Sequence, residues 1–236
     1  MSKSLIIVVL ISSMLIVQGC VPEMRNDSNV EVKAMTSADE QLFKAVEDSD
    51  TERIEQMIQA GANINAQDQT GRTATMIATY NNDPASAKVL IEAGADVNIQ
   101  DDMKNTPFLY AGAEGYLDIL KLTIEAGADP TITNRYGGTA LIPASEHGYV
   151  DVVQELLTQT SVDVDHVNQL GWTALLEAII LNDGNAQQQE TIQLLIDHGA
   201  DVNIPDRDGG SPLSHAKSKG FKEIEDILVR AGAQQK

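Results

Sequence analysis

The chain has 236 residues and carries 16 Lys and Arg against 35 Asp and Glu, a net charge of −19. That balance excludes nucleic-acid phosphates and anionic lipid surfaces as ligands of the folded part, and the single cysteine, Cys20, excludes an internal disulfide and a cysteine-built zinc site. The acidity itself has two readings, a solvated self-repelling surface or the steering of a basic partner with salt-dependent association.

In chain order, the cationic start Met1-Ser2-Lys3-Ser4 leads into an apolar core from Leu5 to Val17. This reads as a secretory signal, too short to span a bilayer. It ends in Val17-Gln18-Gly19-Cys20, which resembles the bacterial lipobox. The resemblance implies that Cys20 is lipidated and becomes the first mature residue. The plainer alternative is a cleaved secretory signal with an unmodified cysteine. Cleavage before Cys20 removes Lys3 and leaves a charge of −19 − 1 = −20, and acylation there anchors the protein stably. By resemblance to enterobacterial lipoproteins, Val21 in place of Asp favours the outer membrane if the source is a diderm bacterium. The expected location is therefore the bacterial cell envelope, lipid-anchored and facing the periplasm.

The chain divides into a lipoprotein signal peptide (1–19), a lipidated cysteine and flexible tether (20–36), a repeat domain (37–233) and a short tail (234–236). The tether is polar and lacks apolar periodicity, and a coil of that size reaches roughly 20–25 Å. Folding is expected to begin at Ser37, whose spacing to Glu40 matches a capping box. Leu42, Phe43, Val46, Ile54, Met57 and Ile58 then fit two short amphipathic helices.

The phrase Gly-Ala-Asp/Asn recurs at Gly61, Gly94, Gly127 and Gly199 and is truncated at Gly232, with steps of 94 − 61 = 33, 127 − 94 = 33, 199 − 127 = 72 and 232 − 199 = 33. Such self-similarity is the signature of a stacked solenoid. Five units open with a tight-turn phrase: Asp68-Gln-Thr-Gly71-Arg72-Thr73-Ala74, then its counterparts from Asp101, Asn134, Asn168 and Asp206. Asp or Asn followed three residues later by Gly makes the turn, and Thr or Ser then caps a helix. Ala78, Ala111, Ala144, Ala178 and Ala216 keep each first helix thin, and Gly94, Gly127 and Gly199 stand where a left-handed C-cap is wanted.

These phrases resemble the ankyrin repeat over about residues 37–233. The resemblance implies an all-α ankyrin-repeat solenoid of about six helix-turn-helix units with short β-hairpin fingers. Met76, Leu109, Ile142, Leu176 and Ser214 stand where the family usually has histidine, and Lys104 replaces one turn glycine. One extra residue near Thr160-Ser161-Val162-Asp163 and about five around Asn182–Gln189 account for the long step; the latter read as an extended loop or an added helical turn.

No catalytic motif, phosphate loop or dinucleotide fingerprint occurs. The four histidines lack metal-ligand spacing, and the acidic pairs lack a calcium loop. The chain is expected to be no enzyme and to need no cofactor, metal or small-molecule substrate.

Members of the family usually bind protein on the concave face formed by fingers and first helices. Carried over by position, the partner-binding residues are Arg72, Tyr80, Met103, Asn105, Arg135, Tyr136, Leu170, Trp172, Ile180 and Leu181. Large apolar side chains at positions facing water point to an interface. Trp172 is expected at its centre, where a hot spot contributes about 2–4 kcal/mol; the alternative is that Trp172 and Tyr136 pack on neighbouring fingers. Some small lipobox-bearing ankyrin proteins are immunity partners of secreted antibacterial toxins such as type VI phospholipases. The resemblance therefore implies a toxin-binding immunity protein, with an envelope scaffold or stress-related adaptor as the alternative.

Overall fold

The computed structural model describes residues 36–234. The signal segment, Cys20 and most of the tether lie outside the described residues, as do the last two residues of the tail. Among the described residues there are twelve α-helices in six pairs: α1 (Ser37–Glu47) with α2 (Thr51–Gln59), α3 (Ala74–Tyr80) with α4 (Pro84–Glu92), α5 (Pro107–Glu114) with α6 (Leu117–Glu125), α7 (Leu141–His147) with α8 (Val150–Gln159), α9 (Ala174–Ile180) with α10 (Ala186–Asp197), and α11 (Pro212–Lys219) with α12 (Lys222–Arg230). Odd-numbered helices touch one another in chain order, and so do even-numbered ones. The result is two helical layers with one continuous core between them.

Each unit is thin where the sequence is small. Ala78, Ala111, Ala144, Ala178 and Ala216 are fully buried, which lets successive first helices approach closely. Leu90, Leu120, Leu156, Leu195 and Leu228 of the second layer are likewise inaccessible. The residues that replace the family histidine are apolar core in four units: Met76, Leu109, Ile142 and Leu176 are all at most 3 % exposed. Packing there takes the place of a polar network.

The starts of the first helices follow the expected chemistry with two exceptions. Thr73, Thr106, Thr173 and Ser211 each accept the backbone N–H three residues on, at 3.1–3.2 Å. At the fourth unit α7 instead begins with Ala140 as its cap residue and no side-chain bond. At the first, the capping box is one residue earlier than Ser37 and Glu40. Thr36 Oγ1 accepts from the Asp39 N–H at 3.2 Å, and Asp39 Oδ2 accepts from the Thr36 N–H at 2.7 Å. The frame is fixed by Asp39, whose other oxygen accepts from the Asn63 N–H at 2.7 Å and so ties the cap to the next loop. At the opposite ends, Gly94, Gly127 and Gly199 have φ of +92°, +82° and +96°, the left-handed conformation required there.

The fingers are tight turns rather than β-hairpins, and no strand occurs among the described residues. In the second unit the Asp68 N–H donates to Arg72 O at 2.9 Å, while Asp68 Oδ1 collects the N–H groups of Thr70 and Arg72 at 2.8 and 2.9 Å. With the carboxylate holding these amides, the backbone pair is not extended into a ladder. Successive fingers share single backbone bonds, such as Asp102 N–H to Thr70 O at 3.1 Å and Gln169 N–H to Tyr136 O at 2.9 Å. Lys104, in its turn-glycine position, takes φ +63°.

The insertion in the fifth unit is both a loop and extra helix: Asn185 caps α10, which has 12 residues against 9 in α2, α4, α6 and α12.

A concave cleft across the middle units

First helices and fingers of the second to fifth units enclose an open cleft of about 730 Å³. Seven of the ten residues selected by position line it: Tyr80, Met103, Asn105, Arg135, Tyr136, Leu170 and Leu181. Met103, Tyr136, Leu170 and Leu181 are 48–52 % exposed, a concentration of large apolar side chains facing solvent. Arg72 borders an adjoining hollow with Thr70, Asp101 and Asp102, and Tyr80 and Met103 are shared between the two.

Trp172 and Ile180 are not among the residues lining the cleft, and both are half-buried. In the fingers the cleft lining therefore runs through Met103, Arg135, Tyr136 and Leu170 of three successive units rather than through Trp172. Trp172 closes its own turn, accepting the Asn168 N–H through its carbonyl at 3.0 Å, and Arg207 of the next finger lies over the adjacent Gly171.

Aromatic contacts stiffen one wall. The Tyr80 and Tyr110 rings meet edge-to-face with centroids 4.4 Å apart. The Tyr80 hydroxyl donates to Asp101 Oδ2 at 2.5 Å and accepts from Asn105 Nδ2 at 3.0 Å. Burial, reinforced by that carboxylate, pushes its pKa up to about 12, so it stays a neutral donor. Across the cleft the Arg135 guanidinium stands 4.8 Å from the Tyr136 ring centroid, and its Nη1 lies 3.6 Å from Met103 Sδ.

The cleft also contains an acid that position in the motif did not mark. Glu177 is 5 % exposed, and its Oε1 accepts from Asn168 Nδ2 at 2.7 Å. Burial, with the Glu146 carboxylate adding to it and the Asn168 bond opposing, pushes Glu177 up to about 7. The signal was present: Glu177 is the one charged residue in the apolar helix Ala174–Ile180. The sixth unit repeats the arrangement, with His215 Nε2 2.7 Å from Asp206 Oδ2. Burial pushes Asp206 up, but hydrogen bonds from Gly210, His215 and Asp208 outweigh it and hold the carboxyl below its ordinary value.

The family model for ankyrin repeats matches residues 42–134, 108–206 and 141–236. A putative ankyrin repeat protein of Escherichia coli K12, YahD, is 49 % identical over 81 residues, 34 % of this chain and 40 % of its own length. A putative ankyrin repeat protein of Rickettsia felis is 38 % identical over 34 % of this chain and 20 % of its own. The matches thus span half or less of these relatives. Among solved structures, an ankyrin repeat domain from Acinetobacter baumannii AYE is 50 % identical with a TM-score of 0.80, covering 82 % of this chain and 98 % of that one. The ankyrin domain of Bcl-3, a member of the IkappaB family, is 26 % identical with a TM-score of 0.74, covering 82 % and 86 %.

Proposed function

The chain belongs to the ankyrin-repeat family and is a protein-binding module; from that premise we propose that it works in the bacterial envelope, held by lipid at Cys20, as an immunity protein that blocks a secreted antibacterial toxin on its concave face. The observation that carries the binding role is the cleft, where Met103, Tyr136, Leu170 and Leu181 leave large apolar surface open to solvent. An isolated repeat array has no use for such a patch, whereas a partner's surface desolvates it. The envelope role draws on the sequence alone, from the apolar signal and Val17-Gln18-Gly19-Cys20. The tether of residues 20–36 suits a binding domain that meets its target away from the headgroups. A toxin of the phospholipase type acts on the lipid that the anchor occupies, so an inhibitor fixed there is concentrated where it is needed.

Capture of partners from membranes by the lipidated chain, with a photo-cross-linking residue at position 136, tests the reading. Cross-links at 136 and none from a probe at Glu125 on the second layer are expected. Deletion of the gene is expected to be lethal only when sibling cells deliver the toxin. A captured partner without that conditional lethality favours the second function, an envelope scaffold or adaptor. Acylation is checked by labelling with a palmitate analogue, which Cys20→Ser should abolish.

A further inference from the structure

We propose that the cleft is a pocket for an arginine side chain on a basic segment of the protein partner, its guanidinium received by Glu146 and Glu177 and its stem laid along the tyrosine wall. This rests on the protein-binding reading and names the chemistry of the partner.

Three carboxylates line the cleft, Glu114, Glu146 and Glu177, and among the described residues none of them is in an ion pair. The lining contains one side chain with a fixed positive charge, Arg135, and that guanidinium sits over Tyr136. Glu177 is the decisive group. It is 95 % withdrawn from solvent yet lines the cavity, and its hydrogen bond to Asn168 uses Oε1, leaving Oε2 without a bond among the described residues. A buried carboxylate without a counter-ion costs several kcal/mol, and a cation delivered to it recovers much of that cost. Burial beside Glu146 already holds Glu177 partly protonated near neutral pH, which is how such a site behaves while empty.

The rest of the wall fits a guanidinium better than an ammonium. Tyr110 offers a ring in the same lining, its orientation fixed by the edge contact with Tyr80, along which an arginine's apolar stem can lie, while a planar guanidinium bonds paired carboxylates in its plane as an ammonium cannot. Pro143 supplies apolar surface to the floor. The chain's −19 charge supplies the long-range attraction that brings a basic segment in.

The probe is N-acetyl-L-arginine amide, titrated into the 15N-labelled full chain, with N-acetyl-L-citrulline amide as its uncharged isostere. Saturable shift changes confined to amides around Tyr110, Glu146 and Glu177 are expected for arginine and none for citrulline. Glu177→Gln removes a buried charge without removing volume, so it is expected to fold at least as well as the parent and to weaken binding about tenfold. Glu146→Gln, at a half-buried position, is expected to act in the same direction. Equal binding of the two probes overturns the proposal, as do arginine shifts that persist unchanged in both variants. Because the capture experiment at position 136 uses neither probe, failure of the titration removes the arginine pocket while protein binding is judged separately.

Discussion

Glu177 combines burial, a neighbouring like charge and a single hydrogen bond, and it makes folding stability depend on pH. Its carboxyl is raised from an ordinary 4.5 to about 7. Below the lower value both folded and unfolded chains hold the proton, and the group has no effect. Between the two values the unfolded chain releases a proton that the folded chain keeps, so stability falls as pH rises and stays lowered above the folded value. Glu177→Gln retains an oxygen for Asn168 Nδ2 and abolishes the titration. It is expected to stabilise the fold by roughly 1–3 kcal/mol near pH 8 and by almost nothing near pH 4. Thermal unfolding of both proteins at the two pH values checks this, and an equal gain at both would assign the effect to packing rather than charge. The same residue marks the limit of what the sequence discloses about the site. Seven positions were legible because the repeat dictates which side of the finger and first helix faces the hollow. Glu177 escaped because the motif leaves its position variable, and while Asn168 lies in its own unit, the neighbouring charge of Glu146 is set by the stacking of units. Trp172 is half-buried and outside the cleft lining, a placement that its size alone does not disclose.

Between elements, a row of side chains stitches each unit to the next. Asn65 Oδ1 accepts the Asp96 N–H at 2.9 Å, Asn98 Oδ1 accepts Asp129 at 2.8 Å, Asp165 Oδ1 accepts Asp201 at 2.9 Å, and Asn203 Oδ1 accepts Gln234 at 2.8 Å. The missing member is Thr131, whose hydroxyl turns back to Asp129 Oδ1 at 2.7 Å. The joint it leaves, between the fourth and fifth units, is held by other means. Asn182 Nδ2 and Gln188 Nε2 from the insertion both donate to Glu146 O, at 2.6 and 2.9 Å, and His166 Nε2 lies 2.7 Å from Gly137 O. The extra residues thus replace a lost stitch. Asn98→Ala is expected to cost about 0.5–1.5 kcal/mol by removing the bond to the Asp129 amide, while Thr131→Ala, on an exposed threonine bonded only within its own turn, is expected to cost under about 0.5 kcal/mol. Urea melts of the two variants give the comparison, and equal losses would refute the stitching role. Helix pairs, caps and the period were legible because they follow from local residue choice. The turn-only fingers were not, because the side-chain oxygens of Asp68 and its counterparts, Asn134 and Asn168 included, compete for amides that a strand pair would use. Nor was the cap at Thr36, which depends on the contact from Asp39 to Asn63.

At the scale of the whole molecule, the excess of carboxylates acts on folding and on binding with opposite signs. Five ion pairs occur among the described residues, one of them a histidine contact, so most of the acidic side chains in that part of the chain have no ion-pair partner there. In a stacked array each unit touches only its neighbours, and like charges repeat along the solenoid with the same period as the fold. Their repulsion opposes stacking at low ionic strength and is screened once the Debye length falls from about 20–30 Å to a few ångströms. On the proposed basic partner the same charges would exert a long-range attraction toward the cleft, screened over the same range. Raising salt from about 0.02 M to about 0.5 M is therefore expected to raise the unfolding midpoint while slowing association with the captured partner by tenfold or more. Stopped-flow association and thermal melts across one salt series test both signs together. A partner whose on-rate ignores salt would bind through the apolar rim of Met103, Tyr136 and Leu170 without electrostatic guidance, whereas a melting temperature that falls with salt would mean that the carboxylates stabilise the stack through pairings of their own.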